Sequence, residues 1–409
     1  MFDIQSLFAD RIGGPAFGQT NAIYKFEKIK RAKRAALAAH PEREMLDFGV
    51  GEPDLIAPKP IRAALRKAAD DPANRGYADN GIPEFKRAAV DYMREFFGVT
   101  GLDPDLHVNH SIGSKSALAM LPLAFVNPGD CVLATTPGYP VLATHAKYLG
   151  ASVIPVPLSA RNHFLPDLAA LEKLDLSRAK LFYVNYPNNP TGAAATPEFF
   201  DQLIDFALRH NLLIVQDAAY ATLAYNRPLL SILSRPRALE CAVELHSMSK
   251  SFNMTGWRLG FVAGCPAAVK AFAEVKDIMD SGQFKAIQIA ACAGIADLKL
   301  AEKIRRHYQR RLRALVKILK AAGFKARMPG GTFYLYVPAP KGTADGRVFA
   351  NAEEASQYLI TELSISTVPW DDVGPYLRFS ATFESAGPQD DARVLSLLAA
   401  RLSTASFLF

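Results

Sequence analysis

Between about residues 110 and 265 the chain repeats one alternation: a short continuous apolar run, a glycine or proline break, then a stretch with helical spacing. The runs fall at 131–135, 151–155, 180–185, 212–216, 242–246 and 259–263. Helix-like segments such as 114–125, 139–149 and 197–210 stand between them. A strand that is apolar throughout must be covered on both faces, and helices crossing between parallel strands supply that cover. Turn signals mark the joins, among them Asn127-Pro128-Gly129-Asp130 and Thr136-Pro137-Gly138. The pattern predicts an α/β domain built on a mostly parallel sheet.

Beyond about residue 300 the texture changes. A charged helix over 301–322 is followed by a strand-like 331–337, a helix near 353–363 and a strand-like 376–380. This predicts a smaller α+β domain. Near the start, 22–40 reads as a basic helix, with Ile23, Phe26, Ile29, Ala32 and Ala36 at three- and four-residue steps. The Lys and Arg residues between them are most simply a solvated face. One such helix buries too little apolar area to stand alone, so this arm is expected to pack on the smaller domain. The expected division is 1–60 for the arm and part of the small domain, 61–300 for the large domain and 301–409 for the small one.

With 409 residues, half of them hydrophobic and 21% charged, the chain can bury large cores and is not disordered. Its net charge of +7 is spread along the sequence, which suits an enzyme for anionic small molecules as well as a nucleic-acid binder. The four cysteines lie far apart without zinc-ligand spacing, which argues against a metal site or a disulfide framework. No secretory leader pattern and no apolar run of about 20 residues is visible, so a cytoplasmic protein without membrane contact is expected.

Chemistry-bearing residues cluster just after the apolar runs, at the sheet edge where open α/β folds bind ligands. The segment Ser247-Met248-Ser249-Lys250 follows one run, with Arg258 eight positions on. Alone, Lys250 would be a surface lysine. Beside Ser247 and Arg258 it suits a phosphorylated aldehyde cofactor, since lysine forms Schiff bases and arginine clamps phosphate oxygens with two parallel bonds. Asn185-Tyr186-Pro187-Asn188-Asn189-Pro190 would hold Asn189 at the same edge in a stiff turn. Asp217, at the end of another run, is costly to bury unless it meets a cation such as a protonated pyridine nitrogen, and Tyr220 follows three residues later. A helix cap or turn is the plainer role for Asp217 taken alone. Gly113-Ser114-Lys115 opens a helix whose N–H groups can face a phosphate. Tyr139 could stack on a flat ring or be a packed core tyrosine.

Taken together these segments resemble the fold-type I pyridoxal-phosphate enzymes, specifically the class I/II aminotransferases, over nearly the whole chain. The resemblance implies a mostly parallel seven-stranded sheet in the large domain. It implies that Lys250 bonds to pyridoxal 5'-phosphate and acts as general acid/base, that Asp217 pairs with the ring nitrogen, and that Asn189 and Tyr220 hold the phenolic oxygen. Ser114, Lys115, Ser247 and Arg258 would bind the phosphate, with Tyr139 stacked on the ring. Arg378, in Tyr376-Leu377-Arg378-Phe379-Ser380, matches the family's arginine for the substrate α-carboxylate, and Gly51 matches a glycine that donates its backbone to the same group. Tyr77, in Gly76-Tyr77-Ala78-Asp79, matches a tyrosine reaching the neighbouring subunit's phosphate, which implies a homodimer with shared active sites.

Within that family the stretch from Ile23 to Ile29 resembles the arm of LL-diaminopimelate aminotransferases, in which a tyrosine at the Tyr24 position lines the substrate pocket. Those enzymes take an acidic side chain from the partner subunit for the distal end of the substrate. Asp79 or Asn80 occupies that stretch here, one residue shorter and with a shorter side chain. The implied reaction moves an amino group from LL-diaminopimelate to 2-oxoglutarate, giving glutamate. Aspartate, alanine or aromatic aminotransferases of the same fold are the rival readings. An aminotransferase-like DNA-binding regulator would need a further domain that the stretch before Tyr24 is too short to supply, so no nucleic-acid partner is expected.

Overall fold

A computed structural model of the chain describes residues 2–19, 25–225 and 228–409. Its largest sheet has seven strands: β1 (Val108–Ser111), β2 (Cys131–Thr136), β3 (Ser152–Pro157), β4 (Ala179–Asn185), β5 (Leu213–Asp217), β6 (Ala242–Ser247) and β7 (Gly260–Gly264). Their spatial order is β1-β7-β6-β5-β4-β2-β3, and only β7 runs against its neighbours. Six of these strands coincide with the apolar runs to within a residue or two. The seventh, β1, has no such run, because Val108-Asn109-His110-Ser111 is mostly polar. All four of its residues are nevertheless buried, and side-chain partners take up part of the polar groups: Asn109 Nδ2 donates to Asn80 at 2.9 Å and His110 Nε2 meets Gln283 at 3.1 Å, while Asn109 Oδ1 and His110 Nδ1 have no partner.

Successive strand residues point to opposite faces, and each face has its own core. Leu133, Phe182, Val184, Ile214 and Phe261 pack into one, beneath the helices Pro83–Phe97, Pro197–His210 and Lys285–Ile295. Val132, Leu181, Val215, Val243 and Val262 pack into the other, beneath Gly113–Phe125, Val141–Tyr148 and Pro266–Met279. Pro197–His210 shows why these helices form where they do. The Thr196 side chain accepts from the Phe199 N–H at 3.2 Å, Pro197 starts the first turn, and Asn211 closes the helix in a left-handed conformation.

A second sheet has three antiparallel strands, β8 (Tyr334–Pro338), β9 (Val368–Trp370) and β10 (Tyr376–Ser380), in the order β9-β10-β8. The long helix Leu298–Ala321 lays Tyr308, Leu312, Leu315 and Leu319 against it, a four-three-four spacing that keeps one face inward. Phe48 joins the same core, beside a short parallel pairing of Leu46–Asp47 with Ile365–Ser366. The basic helix Lys25–Ala39 packs Ile29, Ala32 and Ala36 on Ile360, Val368 and Trp370.

A buried ion cluster fixes the small sheet to the long helix. Arg311 pairs with Asp391 at 2.6 Å and Asp54 at 3.1 Å, and donates to the carbonyls of Ala381 and Phe383 at 2.9 Å each. Among the described residues no helix is long and apolar enough to cross a membrane, and no group of side chains could hold a metal ion.

Candidate active site

The carboxyl ends of β2, β4, β5 and β6 open into a cleft of about 800 Å³ that is closed by the segment around Gly49 and Gly51 and by the small sheet. Asp217 is the last residue of β5 and is buried. Its Oδ1 accepts from the Ala219 N–H at 3.1 Å and its Oδ2 from the Tyr183 hydroxyl at 3.4 Å. Burial pushes its carboxyl up to about 6, against the pull of those two donors. No cation of the chain pairs with it among the described residues, so it is an anion at the cleft wall without a counter-ion.

Lys250 stands one short turn beyond β6, in Met248–Ser251, where the Ser247 hydroxyl caps the turn by accepting from the Ser249 N–H at 3.3 Å. Its Nζ donates to the Gly51 carbonyl at 3.0 Å. Burial pushes the amine down to about 8; Glu52 opposes the shift, while the positive charges of Arg258 and Arg378 add to it. Such an amine is half neutral near pH 8 and keeps a sizeable neutral fraction just above neutrality, the form a nucleophile or base needs.

Arg258 adopts a left-handed backbone and donates through Nη1 to the Thr255 carbonyl at 2.8 Å and to Ser249 Oγ at 3.5 Å. Its guanidinium lies against Gly113, where a Cβ would collide with it and where φ is +71°. Only glycine meets both demands. Gly113 begins the helix Gly113–Phe125, so the unpaired N–H groups of its first turn, around Ser114 and Lys115, stand beside the guanidinium in the same cleft. Tyr139 also lines the cleft, after the turn that closes β2.

Asn185 links two of the candidates: its amide donates to the Asp217 carbonyl at 2.7 Å, and its Oδ1 accepts from the Asn189 N–H at 2.9 Å. Asn189 Oδ1 in turn accepts from Arg378 Nη1 at 3.0 Å. Arg378 also donates through Nη2 to the Gly49 carbonyl at 3.0 Å and stacks 4.1 Å from the Tyr334 ring, but its buried Nε has no partner. The Tyr220 and Tyr334 hydroxyls meet at 3.2 Å, and Tyr334 reaches the Gly51 carbonyl at 3.5 Å. A Cβ at Gly51 would strike that hydroxyl.

Gly51, Ser114, Lys115, Tyr139, Asn189, Asp217, Tyr220, Ser247, Lys250, Arg258 and Arg378 therefore share one cleft. Three other candidates do not line it. Tyr77 is 82% exposed and Asp79 is exposed, its backbone carbonyl held by the Lys276 ammonium. Tyr24 lies outside the described residues. Tyr334, Trp370 and Asp372 line the cleft without having been singled out. They come from the small sheet and its hairpin, where no local motif marks them. A larger cavity of about 1090 Å³, between residues 55–60 and the start of the long helix, contains none of the candidates.

Comparison with known proteins agrees with this geometry. The family model for aminotransferase class I and II matches residues 43–387. An LL-diaminopimelate aminotransferase of Methanococcus maripaludis is 52% identical over 411 residues, covering 99% of each chain. One from Methanocaldococcus jannaschii is 54% identical over 380 residues, covering 93% of this chain and 91% of its own. Among solved structures, substrate-bound BacF from Bacillus subtilis superposes with a TM-score of 0.84 at 30% identity, over 96% of this chain and 97% of that one. A probable N-succinyldiaminopimelate aminotransferase from Thermus thermophilus gives 0.83 at 28% identity, over 93% and 100%. The seven-stranded sheet, the smaller α+β part and the cleft where they meet are the fold-type I architecture, and the chain belongs to the class I and II aminotransferase family.

Proposed function

We propose that the protein is an LL-diaminopimelate aminotransferase, working with pyridoxal 5'-phosphate as a homodimer and with the 2-oxoglutarate/glutamate pair as its second substrate. The observation that carries the reading is the convergence, in one cleft, of an amine pushed down to about 8, a buried carboxylate without a cation, and an arginine with an unpartnered Nε. These are the groups that a phosphorylated pyridine aldehyde and an α-carboxylate require. The near full-length likeness to two LL-diaminopimelate aminotransferases supports the choice of substrate.

Asp217 would face the ring nitrogen, where the missing counter-ion belongs. Arg258, the first turn at Ser114 and Lys115, and Ser247 would hold the phosphate; Tyr139 would cover one face of the ring, and Asn189 and Tyr220 would hold the phenolic oxygen. When bound, the cofactor supplies an electron sink for the pair released at the substrate Cα. Lys250 would hold the aldehyde, and its neutral Nζ is the group placed to take the substrate Cα proton. Arg378 receives the substrate α-carboxylate with the donor at Nε still free, beside the backbone at Gly51. The stack on Tyr334 and the bonds to Asn189 and Gly49 orient the fork beforehand, so little rotamer freedom is lost on binding.

The net reaction is LL-diaminopimelate plus 2-oxoglutarate giving tetrahydrodipicolinate, glutamate and water. Tyr77 and Asp79, exposed on one chain, are assigned to the neighbouring subunit's cleft, and Tyr24 to the substrate pocket. The test is spectroscopic. Holoenzyme is mixed separately with LL-diaminopimelate, glutamate, aspartate, alanine and tyrosine, and the cofactor band is followed. Rapid conversion by LL-diaminopimelate and glutamate alone is the expected result. Conversion by aspartate or tyrosine but not LL-diaminopimelate would overturn the substrate, and a protein without a cofactor band would overturn the role of Lys250.

A further inference from the structure

Tyr220 and Tyr334 reach the cleft from opposite sides, and their hydroxyl oxygens stand 3.2 Å apart. Tyr220 follows β5 of the large sheet, and Tyr334 is the first residue of β8 in the small one. The backbone that leads to Tyr334 is strained. Thr332, two residues earlier, is fully buried and left-handed, with φ at +67°, a conformation that a β-branched residue adopts only at a cost. Two bonds hold it there: its Oγ1 accepts from the Tyr334 N–H at 3.0 Å, and its carbonyl accepts from the Tyr225 hydroxyl at 2.7 Å. Strain of this kind, held by surrounding bonds, marks places where a side chain has to be aimed.

A hydroxyl has one proton to give. Tyr334 can give its own to the Tyr220 oxygen at 3.2 Å or to the Gly51 carbonyl at 3.5 Å. Two hydroxyl oxygens as close as those of Tyr220 and Tyr334 need a proton between them. In the function proposed above, Tyr220 points its proton at the phenolic oxygen of the cofactor, so towards Tyr334 it can only accept. One arrangement satisfies both contacts: Tyr334 is the donor. A hydroxyl that accepts a bond is polarised and becomes a stronger donor itself. Burial holds the Tyr220 hydroxyl protonated, with its ionisation pushed well above the ordinary tyrosine range, so it is available as a donor. The ring of Tyr334 has a separate task, since the Arg378 guanidinium stacks on it at 4.1 Å.

We propose that Tyr334 is a positioning residue for the reaction: its O–H donates to the Tyr220 oxygen, so that the Tyr220 proton is aimed at the phenolic oxygen of the cofactor and bonds it more strongly. This rests on the cofactor reading above. Tyr334 touches no reacting atom and acts through Tyr220. Because it stands in the small sheet, the strength of that bond depends on how the small sheet is seated over the cleft.

The test is a pH titration of the cofactor band in holoenzyme and in its Tyr220→Phe, Tyr334→Phe and doubly substituted variants. The band changes as the Lys250 nitrogen loses its proton. That loss leaves the charge on the phenolic oxygen uncompensated, so a donor at this oxygen lowers the midpoint. The other charges that face Lys250, on Glu52, Arg258 and Arg378, and Asp217, which acts on Tyr220, are the same in all four proteins. Tyr220→Phe is expected to raise the midpoint by about one to two pH units, and Tyr334→Phe by about half a unit, a roughly threefold change in proton affinity. In the double variant the change at Tyr334 should add nothing, because the hydroxyl it acts through is gone. Tyr334→Phe keeps the ring beneath Arg378, so KM for glutamate should stay that of the parent. A midpoint that Tyr334→Phe leaves in place or lowers, or a shift that persists in the double variant, overturns the proposal. A Tyr220→Phe midpoint equal to the parent's overturns the assignment of Tyr220 to the cofactor, and the proposal with it.

Discussion

Arg378 and Asn189 belong to different parts of the fold, and their bond, Nη1 to Oδ1 at 3.0 Å, joins the turn after β4 to the middle of β10 across the cleft. Through Asn185 the same chain of contacts continues to Asp217. The group that would bind the substrate carboxylate and the group that would face the cofactor nitrogen are therefore positioned against each other before any ligand arrives. A shift of the small sheet would be felt at both.

The first prediction concerns that fork. Arg378→Lys keeps the charge but loses the planar pair of donors and the stack on Tyr334. About 2–3 kcal/mol of binding is expected to go, which lowers kcat/KM for every amino donor by roughly a hundredfold. Because Arg378 does not touch the phosphate cradle at Arg258 and Gly113, the cofactor band should persist. Steady-state kinetics beside the absorbance spectrum checks both halves.

A second prediction follows from Lys250. Its amine lies at about 8, well below the ordinary lysine value of 10.5, because its charged form is penalised by burial and by Arg258 and Arg378. Only the neutral form attacks an aldehyde. The rate at which cofactor-free protein captures pyridoxal phosphate should rise with pH up to about 8 and then level off, where an exposed lysine would still be rising. A stopped-flow pH series reads this directly. A rate that climbs steadily to pH 10 would falsify the shift.

How much of this is legible in the sequence depends on how local each signal is. Lys250, Asp217 and Asn189 can be found because each follows an apolar run, and the end of a buried strand is also the rim of the sheet. The strand β1 cannot be found that way. Asn109 and His110 are polar letters, each with one side-chain atom partnered, by Asn80 and Gln283 from other elements of the chain. Tyr334, Trp370 and Asp372 are hidden for a similar reason: they reach the cleft only because the small sheet docks there, and packing of distant elements leaves no periodicity to read. Tyr77 and Asp79 are different again, since their motif is plain while one chain alone gives them nothing to touch in its own cleft.

Asp217 yields a third prediction, on stability. Its carboxyl is raised to about 6 in the folded protein against 3.8 in the unfolded chain, so the folded state binds more protons between those values. The cofactor-free protein therefore gains stability as pH falls through about 6, and loses that gain as pH rises again. Asp217→Asn removes the buried charge, and at pH 7.5 it should stabilise the cofactor-free protein by up to about 2 kcal/mol. The same change should cripple transamination by orders of magnitude, because a neutral amide cannot hold the ring nitrogen protonated. Urea melts of the cofactor-free protein at pH 5 and 7.5, beside activity assays, separate the two effects.

The last prediction sets a buried ion pair against an exposed one. Arg311 is almost wholly buried, with Asp391 at 2.6 Å and Asp54 at 3.1 Å, and the ring of Phe383 lies 4.1 Å from its guanidinium. Removing Asp391 leaves the buried guanidinium with Asp54 as its counter-ion but takes away its shortest ion pair and the bonds at Nε and Nη2, so Asp391→Ala is expected to cost about 3 kcal/mol. Arg393 with Glu44 is also a 2.6 Å pair, but both side chains are 48% exposed, and Glu44→Ala should move the urea midpoint little. The contrast extends to pH. The arginine and its hydrogen bonds hold the Asp391 carboxyl at about 2, below its unfolded value, so its contribution is complete above about pH 4 and fades as pH falls through 2. Because Arg311 also grips the carbonyls of Ala381 and Phe383, just beyond β10, loosening it should let Arg378 drift from Asn189. Asp391→Ala protein that remains folded should then show a raised KM for amino acids with its cofactor band intact. An unaltered KM in the folded fraction would mean that the cluster serves stability alone.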